Sequence, residues 1–316
     1  MTTWQASDIP SQHGRPVLVT GTGGLGYECA LILAKVGARV TIAGRNAARG
    51  KDAVEHIRRA APDASVGFEL LDLADIASIK AFGERFRANH DSLDLLINNA
   101  AVMAPPGRRT TDDGFELQFG TNYLGHFVLT EQLLPLLRGS DSARVVTLSS
   151  IASRSGKIDF DDLQAQRGYK PMPVYAQSKL ACLMFALELQ RRSDAGGWGL
   201  TSVAAHPGVS RTDLLHNGAG PGSVMGLMRT YLWFLFQPAA QGAWPTLFAA
   251  TSPDVRGGAY YGPDRLAETR GSPTLAKIPP QALDASAAGR LWDVSERLTG
   301  LAFPTALPVP DMAPNR

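Results

Sequence analysis

Apolar runs without period-two alternation recur along the chain, and each is followed by a stretch that reads as a helix. Residues 16–20 (PVLVT) lead to a helix through Ala30 to Val36 that Gly37 closes. RVTIA at 39–43 leads to a helix from Asn46, and VGFELL at 66–71 to one from Asp75. The alternation continues with LDLLI at 93–97, a long helix across 115–137, RVVTLS at 144–149 and a helix carrying VYAQSKLACLMFALELQRR from Val174. LTSVAA at 200–205, a helix near 239–250 and the short GAYY at 258–261 complete it. Unbroken apolar strands are covered on both faces, and intervening helices impose parallel pairing with right-handed crossovers. The expected fold is α/β: one Rossmann-type, doubly wound parallel sheet with helices on both faces. No break in composition divides it, so residues 1–302 are expected to form one domain. The stretch FPTALPVPDMAPNR at 303–316 has four prolines in fourteen residues and reads as a loosely held tail.

Composition narrows the class. The 316 residues, 44% of them hydrophobic, suffice for a full α/β core. Their 31 basic and 29 acidic side chains are spread evenly, which argues against nucleic acid as a partner. The two cysteines, Cys29 and Cys182, fall in expected helices with no pairing pattern and suit a reducing compartment. No HxxxH or HExxH spacing occurs among the six histidines, so no metal site is expected, and His126 and His206 read as structural or pocket-lining. The first residues, MTTWQASDIPSQHG, lack the basic start and apolar core of a signal peptide, and no run approaches the ~18 apolar residues of a spanning helix. A cytoplasmic protein is expected.

Three features carry chemistry. Tyr175 and Lys179 stand four residues apart on one helix face, where an ammonium beside a phenol favours the phenolate. The pair reads as a proton donor with its electrostatic tuner. Thr20-Gly21-Thr22-Gly23-Gly24-Leu25-Gly26 follows the first strand and opens the first helix, the place where glycines bring backbone N–H groups and a helix N-terminus to a pyrophosphate. After the second strand, Ala43-Gly44-Arg45-Asn46 offers no acid for ribose hydroxyls; Arg45 instead suits the 2′-phosphate of NADP.

With these residues the chain resembles the short-chain dehydrogenase/reductase family, in particular its retinol-dehydrogenase-like branch, from about Trp4 to Gly300. The likeness rests on Asn98-Asn99-Ala100, DGFELQFGTNYLGHFVLT around Asn122, RVVTLSS ending at Ser150, YAQSK, HPGVSRT and SPDVRGGAYYGP, in that order. The resemblance implies a catalytic set of Asn122, Ser150, Tyr175 and Lys179. Tyr175 exchanges a proton with the substrate oxygen, Ser150 hydrogen-bonds the same oxygen, Lys179 tunes Tyr175 and holds the nicotinamide ribose, and Asn122 positions a water. It assigns cofactor contacts to the glycine turn, to Asp72 and Leu73 at the adenine, to Asn98 and Ala100 at the ribose, and to Pro207, Gly208 and Thr212 at the nicotinamide. Ser149 is the adjacent competitor for the serine role, but strand-end capping of a turn covers it well, and Asn122 could serve only to tie two segments together. Two departures from the family pattern stand out: the turn is one residue shorter between Gly21 and Gly24, and Ala101 replaces a glycine.

The resemblance implies an NADP(H)-dependent oxidoreductase that interconverts a carbonyl and an alcohol on an apolar small molecule. Alternatives are a C=C reductase of the same family or a non-catalytic NADP-binding regulator. It also implies a homo-oligomer, often paired through the helix that carries Tyr175. Finally, residues 213–237, with Met225, Tyr231, Trp233, Phe234 and Phe236, are expected to form a helical substrate lid with Arg229 turned to solvent, an interface helix being the other reading.

Overall fold

A computed structural model of the chain describes residues 4–210 and 237–304. Its centre is an eight-stranded sheet in the order β3-β2-β1-β4-β5-β6-β7-β8. The strands are β1 (Pro16–Thr20), β2 (Arg39–Gly44), β3 (Val66–Leu70), β4 (Leu95–Asn98), β5 (Arg144–Leu148), β6 (Thr201–Ala205), β7 (Tyr260–Arg265) and β8 (Arg270–Leu275). All neighbours are parallel except β8, which runs antiparallel to β7. β1 and β5 are buried almost end to end, as their unbroken apolar sequences require.

Helices cover both faces. On one lie α1 (Gly24–Lys35), α2 (Ala47–Ala60) and the helix Trp244–Thr251; on the other lie α3 (Ile76–Asn89), α4 (Gly125–Arg138), α5 (Pro171–Gly196) and a C-terminal helix, Ala285–Thr299. Asn46 caps α2 by accepting from the Arg49 amide at 3.0 Å, and Asp75 caps α3 by accepting from Ala77 at 2.8 Å. The helix expected across 115–137 begins instead as a π-helical turn, Phe119–Leu124, and continues as α4. A Cβ at Gly125, where α4 begins, would collide with the Leu73 carbonyl.

The C-terminal helix is absent from the sequence reading. Asp284 caps it by accepting from Ala287 at 2.9 Å, and it buries Ala288, Leu291, Trp292, Ser295 and Thr299. Trp292 stacks on Phe185 of α5 and meets Phe127 of α4 edge-on. Phe303, assigned from sequence to the tail, is 5% exposed and closes the same aromatic cluster, so the packed chain extends past the expected boundary at 302. The rest of the expected tail, from residue 305, lies outside the described residues.

Under this cover α5 is buried on all sides from Val174 to Ala186. The middle of the helix expected to pair subunits is thus buried within its own chain, while Met172, Pro173 and Arg191 toward its two ends stay exposed.

Candidate active site

Many of the expected site residues follow the C-terminal ends of strands, whereas Tyr175 and Lys179 lie within α5 and Asn122 within the π-helical turn. Gly21 follows β1, Arg45 β2, Asp72 and Leu73 β3, Ala100 β4, Ser149 and Ser150 β5, and Pro207 and Gly208 β6. Parallel pairing brings these ends to one rim. The order reverses between β1 and β4, which opens the crevice where doubly wound sheets bind ligands.

The glycine turn is locked from below. Gly21 has φ +100°, and Cβ atoms at Gly21 and Gly26 would lie 2.8 and 2.5 Å from Asn99 Nδ2. That amide donates to the Thr20 carbonyl at 2.7 Å, while Thr20 Oγ1 accepts from the Asn99 and Ala100 amides at 2.9 and 3.0 Å. Among the described residues, a Cβ on Gly23, at the N-terminus of α1, would meet nothing within 4 Å. The shorter turn thus still delivers an open helix N-terminus. Ala101 is not among the residues with positive φ, so its methyl group imposes no backbone strain.

Next to this turn lies a cavity of about 210 Å³. Ser149, Ser150, Tyr175 and Lys179 line it, together with Leu25 and Asn99 from the dinucleotide side and Pro207 to Ser210 opposite. Its walls are mainly apolar, with Met103, Leu148, Ile151, Met172 and Val209.

The two serines differ in what they hold. Ser149 Oγ donates to the Lys179 carbonyl at 2.7 Å and is committed to α5. Ser150 caps the turn Ile151–Ser155, its Oγ accepting from the Ala152 amide at 3.2 Å, and it lines the cavity beside Tyr175. Lys179 Nζ donates to the Leu148 carbonyl at 3.0 Å. Burial lowers the Lys179 pKa.

The expected effect of Lys179 on Tyr175 does not hold in this structure. Burial pushes the phenol up to about 12, offset in part by a hydrogen bond with Ser150. Desolvation penalises the phenolate more than the neighbouring groups stabilise it.

Asn122 does not line the cavity. Its Oδ1 accepts from the Val102 amide at 2.7 Å, and its Nδ2 donates to the Val102 carbonyl at 2.9 Å and to Ser178 Oγ at 3.0 Å. It ties the loop after β4 to α5. Asn98 also turns inward: Nδ2 donates to Thr130 at 3.1 Å, and Asn99 is the side chain that reaches the cavity. Asp72 accepts from the Ala74 amide at 2.9 Å in a tight turn, and Leu73 is buried. Arg45 is exposed beside Gly44, where a Cβ would touch the Thr22 methyl of the glycine turn.

Sequence reasoning missed the ties behind the site. His126 is buried between the Thr20 hydroxyl, 3.0 Å from Nε2, and the Asn122 carbonyl, 2.9 Å from Nδ1. It joins the glycine turn to the π-helical turn, and burial pushes its pKa down to about 4. Its place four residues after Asn122 was the only available signal. Thr212 and the expected lid up to Phe236, with Trp233, Phe234 and Arg229, lie outside the described residues. Of the stretch expected as lid only Gln237 is described; it is buried, and Ser210 pairs with it in an isolated parallel bridge. Among the described residues no helix is long and apolar enough to cross a membrane.

With the rim, the glycine turn and the cavity beside it, the chain matches the short chain dehydrogenase family over residues 15–219. It belongs to that family and is an oxidoreductase of it, a family that binds nicotinamide cofactors. Polyprenol dehydrogenase of Mus musculus is 41% identical over 300 residues, 92% of this chain and 86% of that protein. Retinol dehydrogenase 13 of Mus musculus is 41% identical over 299 residues, 92% of this chain and 85% of that protein. A solved structure from Mycobacterium Paratuberculosis, 38% identical, superposes with a TM-score of 0.79 over 96% of this chain and all of that one.

Proposed function

We propose that this protein is an NADP(H)-dependent oxidoreductase that interconverts a carbonyl and an alcohol on an apolar substrate, with Tyr175 passing the proton. The observation that carries the reading is the single cavity in which Ser150, Tyr175 and Lys179 face mainly apolar walls beside the glycine turn. Relatives at about 41% identity are named for polyprenol and retinol, both apolar alcohols, which supports an apolar substrate class.

The residues present fit a dinucleotide. The open backbone at Gly23 and the N-terminus of α1 suit its pyrophosphate, and exposed Arg45, at the end of β2, suits a 2′-phosphate. Pro207 and Gly208 would border the nicotinamide, which supplies or accepts the hydride when bound. Ser150 donates a hydrogen bond to the substrate oxygen and so favours negative charge developing there. Tyr175 gives that oxygen its proton during reduction and removes it during oxidation. Lys179, buried beneath, holds the end of β5 through Leu148 and places positive charge under the cavity. Asn122 keeps the loop after β4 and α5 in register, so the donors stay aimed. Both cysteines are buried and free, which fits the proposed cytoplasmic setting.

Product analysis with NADPH and an apolar enal tests the reading. The expected product is the allylic alcohol with its double bond intact. A saturated aldehyde, or NADPH binding without consumption across aldehydes and ketones, contradicts it.

A further inference from the structure

The two walls of the cavity share one carboxylate that neither of them contains. One wall is the turn after Ser150, Ile151–Ser155; the other is the loop from Pro207 to Ser210. From the first, Arg154 reaches the tip of the β7–β8 hairpin, where its guanidinium lies 2.5 Å from Glu268 Oε2 and donates to the Ala267 carbonyl at 3.2 Å. From the second, His206 Nε2 lies 2.9 Å from the same Oε2.

The proton on that imidazole is placed by its other nitrogen. The Gly208 amide donates to His206 Nδ1 at 3.2 Å, so Nδ1 is the acceptor and Nε2 carries the hydrogen toward Glu268. His206 is fully buried and is kept neutral by that burial, which outweighs the pull of the carboxylate. Next along the loop, the Val209 amide donates to the Thr269 carbonyl at 2.8 Å, and a Cβ at Gly208 would collide with that carbonyl. The loop is therefore built against the hairpin tip.

The tip holds an uncommon backbone. Leu266, Ala267 and Glu268 have φ of 50, 55 and 67°, three successive non-glycine residues in the left-handed region. Such conformations persist where the surroundings over-determine them. Here Arg154, His206 and the Lys277 amide, which donates to Glu268 Oε1 at 3.0 Å, all converge on one side chain.

We propose that Glu268 is a positioning residue that sets the gap between the Ser150 turn and the Pro207–Ser210 loop, and with it the distance from the hydrogen-bonding serine to the opposite wall. Arg154 and His206 act through it. The inference rests on reading the cavity as the reaction site, but its structural half stands apart from turnover: a disturbance at Arg154 reaches Gly208 and Val209 through the hairpin tip, although Arg154 belongs to the other wall.

Amide hydrogen exchange of the full chain, read by NMR without substrate, tests the link. Arg154→Ala and Glu268→Gln should each lower protection of the Gly208 and Val209 amides by about tenfold, while Val17 to Val19 in β1 stay as in the wild type. In turnover both variants should lose more in kcat than they gain in KM. Wild-type protection at Gly208 and Val209 in Arg154→Ala overturns the proposal, even if the hairpin itself exchanges faster. Should Glu268→Gln fold poorly, Arg154→Ala decides alone. Absence of any turnover in the wild type, with the exchange result intact, would count against the proposed function and leave the link standing.

Discussion

A phenol as buried as Tyr175 keeps its proton. With its pKa pushed up to about 12 by burial, the donor form needed for carbonyl reduction is filled at neutral pH, and the phenolate needed for alcohol oxidation is scarce. The sign follows directly: raising the pH supplies the base and does not yet deplete the acid. Between about pH 6 and 9, kcat for oxidation should rise while kcat for reduction stays nearly flat. A flat oxidation profile over that range would contradict this. Arg45 supports a second prediction. It is exposed at the end of β2 beside the glycine turn, so a contact with the 2′-phosphate is charge-assisted and worth about 1.5–3 kcal/mol. Arg45→Ala should weaken NADPH binding by about tenfold or more and leave NADH nearly unchanged in a fluorescence titration. An unchanged preference between the two cofactors would remove Arg45 from the site. Tyr175, Lys179 and Ser150, which motif and spacing single out in the sequence, do line one cavity. The state of the phenol was not legible there, since its desolvation is set by segments far apart in the chain, and the Ser150 hydrogen bond offsets it only in part.

At the scale of elements, the C-terminal helix Ala285–Thr299 stabilises the site from behind. Trp292 fills the space between Phe127 of α4 and Phe185 of α5, the helices that carry Asn122's π-helical turn and Tyr175. Trp292→Ala should destabilise the fold by about 3–5 kcal/mol, measured by denaturant unfolding, because the surrounding rings cannot collapse fully into the void. A loss under about 1 kcal/mol would mean that the helix packs only loosely. The first seven strands and the helices α1 to α5 were legible because apolar runs and helical periods alternate cleanly; β8, Arg270–Leu275, was not expected, since RGSPTL carries no apolar run and it pairs antiparallel at the edge of a sheet expected to be parallel. The C-terminal helix left a weaker trace: an Asp284 cap, Gly300 at the end, and a buried face that includes Ser295 and Thr299, which a reading of apolar periodicity passes over. The π-helical turn left none, since it depends on how Gly125 meets Leu73 and on the ties that Asn122 and His126 make across the fold.

At the scale of the whole molecule, seven parallel strands bring residues remote in sequence to one rim, and the order of the strands opens the crevice there. Such an arrangement was expected from the alternation of elements, and it places the glycine turn, Ser150, Tyr175 and Pro207 together. The ties that span the rim were not expected. His126 joins the glycine turn to Asn122, and Glu268 joins the two walls, through side chains whose partners lie on other strands' loops. The burial of the middle of α5 within its own chain likewise emerges only from packing. The proposed mechanism rests on one phenol as the proton carrier. Tyr175→Phe deletes a single hydroxyl, so it separates chemistry from folding and binding. With an apolar aldehyde that the wild type reduces, the variant should bind NADPH with unchanged affinity and reduce the aldehyde at least about 10²-fold more slowly; turnover close to wild type would show that the proton comes from elsewhere.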